Sequence, residues 1–165
     1  LARLDAAQPL SLSFHDAKFL YEEELMYPTA RRQRFGIETK DGVHIGNCMC
    51  YDINDRRSEC ELGIMIGDRR YWNNSYGTDA VKTLLQYIFK ALKLRRVYLH
   101  TLDWNHRARR AFAKCGFREI ERVCRSGNDF VLMEVLRSEW EEAKPAGTQV
   151  LAEDEGTDLP DAVLG

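Results

Sequence analysis

The sequence predicts an α/β (α+β) domain with a central mixed, mostly antiparallel sheet flanked by helices, and three observations carry that prediction. Residues 35–66 alternate short apolar runs with turn signals, as a meander of hairpins does. A second apolar run, residues 61–67 (ELGIMIG), leads through a loop of small residues into Val81, Leu84, Leu85, Ile88, Phe89 and Leu92 at helical spacing. A third, residues 97–102, leads in the same way to Ala108, Ala111 and Phe112. Hairpins make antiparallel neighbours and helical crossovers make parallel ones, so a chain with both must build a mixed sheet.

Each element has a local reason. Ser13 followed by Asp16, then Ala17, Leu20, Tyr21, Glu24 and Leu25, predicts an N-capped helix over residues 14–25. A strand at 35–39 turns at Lys40-Asp41-Gly42 into a longer strand at 43–53, and Asn54-Asp55-Arg56-Arg57 turns that into a strand at 59–66. After the long helix come a strand at 97–102, a short helix from about Arg107, and strands at 118–125 and 130–136 joined by the turn Ser126-Gly127-Asn128-Asp129. Gly116 suits the left-handed end of the short helix. Residues 1–143 are read as one domain. Residues 144–165, with the acidic run Glu153-Asp154-Glu155, are read as a flexible tail unable to form a core.

Composition narrows the function classes. A formal net charge of −2 over 165 residues leaves no electrostatic footprint for nucleic acid. No run is long and apolar enough to span a membrane, and no secretory signal is visible at the N-terminus. Five cysteines in such a chain predict a reduced, cytoplasmic protein. Cys48 and Cys50 share a strand face near Cys60, a start for a metal site. No fourth ligand stands at convincing spacing, so they are read as core thiols and no metal is expected.

The stretch YWNNSYGTDA, residues 71–80, carries most of the functional signal. It joins a strand to a helix, where the first backbone N–H groups lack partners and the helix dipole is positive, a ready anion site. Asn73, Asn74, Ser75 and Gly77 let the backbone curl and admit a phosphate. The P-loop Lys-Ser/Thr pair is missing and no GxGxxG occurs, which argues against nucleotide hydrolysis and dinucleotide binding. A helix that only caps itself is the plainer alternative.

The loop resembles the acyl-CoA pyrophosphate loop of the GNAT N-acetyltransferase superfamily, Arg/Gln-x-x-Gly-x-Gly/Ala, with Gly77 at the last position, Ser75 at the first Gly and Trp72 at the Arg/Gln. Its surroundings look like the branch with ribosomal-protein and polyamine acetyltransferases. NHRARRAFAKCGF, residues 105–117, resembles the second cofactor motif, in which an Asn opens a short helix ending in Gly-Phe. The resemblance runs from about Phe35 to Trp140. It implies an acetyl-CoA-dependent N-acetyltransferase in which an amine attacks the thioester directly. The acceptor would be a primary amine of a small molecule, such as a polyamine or amino sugar, or of a protein N-terminus, and a homodimer is the assembly expected. The alternative is a non-catalytic acyl-CoA-binding module.

By this resemblance Ile64, Met65 and Ile66 would pair with the pantetheine arm. Trp72, Asn73, Asn74, Ser75, Tyr76, Gly77 and Thr78 would hold the pyrophosphate, and Asn105 would bond the cofactor near its thiol. Arg109 and Arg110 sit where phosphates would be in reach, and Phe112 occupies the position where many members carry a Tyr acid. With no hydroxyl there, Cys115, water or a departing thiolate must serve. Glu61 is the expected catalytic base, with Glu59 on the same strand face as runner-up. A solvent-facing or Arg-paired Glu61 is the competing reading, and His100 and His106 are read as structural. The resemblance also implies a strand and a helix ahead of Phe14, for which residues 1–12 leave little room, so the parent protein is expected to be longer at this end.

Overall fold

The computed structural model describes residues 29–125 and 127–143, together with His15 and Phe19. The expected helix over 14–25 lies outside the described residues but for His15 and Phe19, which are both helical and exposed. The acidic tail at 144–165 lies outside them altogether.

Six strands form one sheet in the order β1-β2-β3-β4-β6-β5. They are β1 Gln33–Glu38, β2 His44–Asn54, β3 Glu59–Ile66, β4 Arg96–Leu102, β5 Arg118–Arg125 and β6 Asn128–Leu136. Helix α1, Tyr76–Lys90, crosses from β3 to β4, and α2, His106–Ala113, crosses from β4 to β5. A terminal helix α3 spans Arg137–Glu142. All neighbours are antiparallel except β3 and β4, as the mixed pattern requires. Strand β6 opens two residues earlier than its apolar run, because Arg125 and Asn128 already pair across the hairpin.

The core lies between one sheet face and the helices. Val97 and Leu99 of β4, Val131, Met133 and Val135 of β6, and Cys48, Cys50 and Cys60 of β2 and β3 meet Leu84, Leu85, Ile88 and Phe89 of α1. Burial of such a face is what drives the helix onto the sheet. The three thiols are therefore packing groups, and burial pushes Cys48 up to about 11. Among the described residues no three His, Cys, Asp or Glu converge as a metal set, and no helix is long and apolar enough to cross a membrane.

Helix α2 ends as its sequence predicts. Gly116 has φ +95°, and the N–H groups of Gly116 and Phe117 donate to the carbonyls of Ala113 and Phe112 at 3.0 and 3.2 Å. That is a Schellman cap, closed by an edge contact between the rings of Phe112 and Phe117.

The feature that positions the site is a divergence. The parallel ladder between β3 and β4 covers only Glu59↔Arg96, Cys60↔Val97 and Glu61↔Tyr98, while β3 stays paired to β2 as far as Ile66. Beyond Glu61 the two strands part, and residues 62–66 show one backbone edge to the gap. Gly46 keeps β2 close here: a Cβ on it would fall 2.1 Å from the Met65 carbonyl oxygen.

Candidate active site

A cavity of about 330 Å³ opens where β3 leaves β4. Ile64, Met65 and Ile66 form one wall, and α2 forms the other through Asn105, Ala108, Ala111 and Phe112. The loop and first turn of α1 close one end with Trp72, Asn73, Ser75, Gly77 and Thr78. A backbone edge without a strand partner, a helix N-terminus and an apolar wall thus meet in one slot.

The loop conformation explains its residues. Asn73 and Ser75 both have left-handed backbones, φ +61° and +64°. Asn tolerates that region and Ser does so at a cost, which is why Gly is the family's residue at the Ser75 position. Gly77 needs neither a positive φ nor room inside the protein, since a Cβ there would meet nothing nearer than Ile66 Cγ1 at 3.9 Å. It lines the slot. Trp72 donates its indole N–H to the Ile66 carbonyl at 3.0 Å, which ties the loop to the end of β3.

Charge is arranged in two ways. Arg107 lies over the Trp72 ring, Cζ 3.5 Å from its centroid, and Arg69 approaches the same ring at 5.4 Å. Burial first, and the nearby Arg69 second, lower the Arg107 pKa. Arg107, Arg110 and Lys114 all line the cavity, and none has a carboxylate partner among the described residues. Arg109 is the opposite case. Its guanidinium forks onto Glu119 at 2.8 Å and reaches Asp103 at 3.0 Å, outside the slot. The hydrogen bond from Arg109 holds the Glu119 carboxyl below its usual range.

Of the residues read from sequence, Ile64, Met65, Ile66, Trp72, Asn73, Ser75, Gly77, Thr78, Asn105, Arg110 and Phe112 line the slot. Asn74, Tyr76, Arg109, Glu59 and Glu61 do not. Asn74 bonds the Arg70 carbonyl, and Tyr76 packs edge-on against Tyr71. Asn105 also caps α2, its Oδ1 accepting from the Ala108 N–H at 3.2 Å. Cys115 lies outside as well, buried, with its thiol directed at the Thr78 carbonyl and pushed up to about 11 by burial. Arg107 and Lys114 were missed. The signal was present, since from Arg110 a step of three back and four on along one helix reaches both.

The two carboxylates differ. Glu59 is bonded to Arg96 at 2.7 Å, and Arg96 in turn to Glu134 at 2.7 Å, so it belongs to an ion-pair network. Glu61 stands at the last ladder pair before the divergence, on the sheet face away from α1. It lies 2.8 Å from His100 Nδ1.

This arrangement agrees with sequence and structure comparison. Residues 7–118 match the acetyltransferase (GNAT) domain. The chain belongs to the GNAT acetyltransferase family. It is an acetyl-CoA-dependent N-acetyltransferase, and acetyl-CoA is its co-substrate. Similar solved structures include a mutant form of the spermidine N-acetyltransferase SpeG from Vibrio cholerae, 25% identical over 78% of each chain with a TM-score of 0.68. Another is the Vibrio cholerae spermidine N-acetyltransferase in complex with CoA and spermine. It is 24% identical, with 81% of this chain and 80% of that one covered and a TM-score of 0.70. In this acetyltransferase the divergence of β3 from β4 gives the fold its slot.

Proposed function

We propose that the enzyme acetylates a primary amine of a small cationic molecule, with a polyamine as the first acceptor class to test and a protein N-terminus as the second. The observation that carries the reading is the slot. One wall is a strand edge with no strand partner beyond Glu61 among the described residues, matched to an extended arm with amide groups, and its end is a helix N-terminus with flanking Arg107, Arg110 and Lys114, matched to phosphates. The complex of the Vibrio cholerae enzyme with CoA and spermine supports the acceptor class.

In this reading residues 64–66 pair with the pantetheine arm, and Trp72, Asn73, Ser75, Gly77 and Thr78 cradle the pyrophosphate. Asn74 and Tyr76 support that loop. Arg110, with Arg107 and Lys114, offsets phosphate charge, while Arg109 braces α2 against β5. Asn105 and Phe112 flank the arm. The amine lone pair attacks the thioester carbon, the C–S bond breaks with its electrons to sulfur, and Glu61 takes the amine proton directly or through water. Glu59, held by Arg96, is the weaker candidate for that step. The reduced cytoplasm and an assembly of two copies belong to the same proposal, the latter checked by light scattering of the purified chain.

The test is acetyl transfer to spermidine, spermine, an amino sugar and a peptide N-terminus, followed by mass spectrometry of the product. Glu61→Gln should keep acetyl-CoA affinity while lowering the rate with a good acceptor by roughly 10²-fold, less at high pH where free amine is abundant. Binding of acetyl-CoA without transfer to any amine would favour a non-catalytic module.

A further inference from the structure

A short chain of hydrogen bonds on the sheet face away from α1 is not used by the cofactor slot. His100 lies on β4 two residues past Tyr98, where β3 has already turned away, and Glu61 spans the opening to reach it. Both side chains are nearly buried, 10% and 12% exposed. Glu61 Oε1 is 2.8 Å from Nδ1 of the ring, and the other ring nitrogen, Nε2, is 3.0 Å from the Arg125 guanidinium at the β5–β6 hairpin.

Donor and acceptor roles follow from Arg125. A guanidinium carries donors only and keeps its proton at every working pH. Nε2 must therefore accept, and the proton of the neutral ring sits on Nδ1, where it donates to Glu61. A ring protonated on both nitrogens would face Arg125 donor to donor. Tyr51 of β2 stands beside the same carboxylate, and burial first, with the Glu61 charge second, raises its pKa so that it stays protonated. The other charged and titratable groups near this cluster include Asp52 on β2, Glu59 and Cys60 on β3, and Arg96 and Tyr98 on β4.

We infer that His100 is a positioning residue that orients the Glu61 carboxylate for proton abstraction, and that Arg125, donating to Nε2, supports the ring tautomer that lets it do so. This rests on the acetyl-transfer reading above. It differs from a proton relay, because an Nδ1 that already holds a proton cannot take one from Glu61. Removing the donor leaves a nearly buried carboxylate with one partner fewer, which favours its neutral form. The acid limb of the rate profile must then move to higher pH.

Two readouts on the full chain test the inference. Nitrogen-15 NMR of the His100 ring at neutral pH should show the Nδ1–H tautomer. In kinetics, His100→Leu should lower kcat roughly 10-fold or more and raise the acid limb by about one pH unit, with acetyl-CoA affinity by calorimetry unchanged. His100→Asn, whose amide nitrogen falls near the Nδ1 position, should recover the rate to within about fivefold and return the limb. An Nε2–H tautomer in the parent protein, an unmoved limb in His100→Leu, or no recovery in His100→Asn would overturn the positioning role in an enzyme that still acetylates amines. A parent protein that transfers acetyl to no amine would instead overturn the reading beneath it.

Discussion

Phe112 stands where many relatives are expected to carry a phenolic acid, and its surroundings say what it does in this chain. It lines the slot yet is only 9% exposed, and its ring meets Phe117 edge-on across the cap of α2. Phe112→Ala should therefore cost about 3 kcal/mol in urea unfolding. Phe112→Tyr should leave turnover within about tenfold, and a much larger rate gain would mean that the site can use a donor placed there. The thiols obey the same logic of burial. Cys48, Cys50, Cys60 and Cys115 are buried and Cys124 is exposed, and a thiol pushed up to about 11, as Cys48 and Cys115 are, holds little reactive thiolate at neutral pH. Ellman's reagent should react quickly with one thiol in the native protein and with all five after denaturation. Two or more fast native thiols would contradict the packing. The fast one also sets a background that any assay of CoA release by the same reagent must subtract.

At the scale of elements, the strand-loop-helix unit from β3 to α1 was legible because its signals are local: an apolar run, small residues with left-handed tolerance, then a sustained helical period. The cation stripe of α2 was half legible. The doublet Arg109-Arg110 drew attention, but adjacent residues on a helix point about 100° apart, so only Arg110 faces the slot while Arg109 reaches Glu119 and Asp103. The pairing of Glu61 with His100 was not legible. It depends on the β3–β4 register and on where the ladder stops, and no short stretch of sequence encodes either. Gly77 joins the local and the functional readings. Within the protein its Cβ position is open, so Gly77→Ala should stabilise the fold by ~0.5 kcal/mol or more. The same methyl faces the expected pyrophosphate, so acetyl-CoA affinity should fall, and Gly77→Asp should abolish measurable binding through like-charge repulsion. Calorimetric titration of the folded variants checks both, and affinity unchanged in Gly77→Asp would remove the phosphate from this loop.

Across the whole molecule, a sheet that opens to admit a ligand must be held together elsewhere. Among the described residues the ladder joining β1, β2 and β3 to β4, β6 and β5 has three pairs, and beside the Glu61–His100 contact the side chain of Arg96 reinforces that seam. It reaches Glu59 on β3 and Glu134 on β6, both at 2.7 Å, and its Cζ lies 4.9 Å over the Tyr98 ring. The carboxylates are 14% and 12% exposed, so removal of their shared partner leaves two charges short of both water and a cation. Among the described residues Glu134 keeps Arg118 at 2.8 Å and Glu59 keeps only the longer contact to Arg57 at 3.6 Å, so the loss falls mainly on β3. Arg96→Met retains the aliphatic packing over Tyr98 and should cost about 2–3 kcal/mol in urea unfolding. In the proposed binding mode acetyl-CoA touches both sides of the same opening, so it should act as a second clamp. At a concentration near 100 times its dissociation constant it adds about 2.7 kcal/mol to parent and variant alike, which restores most of what Arg96→Met loses. Denaturation midpoints of both proteins, with and without acetyl-CoA, check the argument. A midpoint unmoved by Arg96→Met would show that the three ladder pairs and the core beneath them hold the seam unaided.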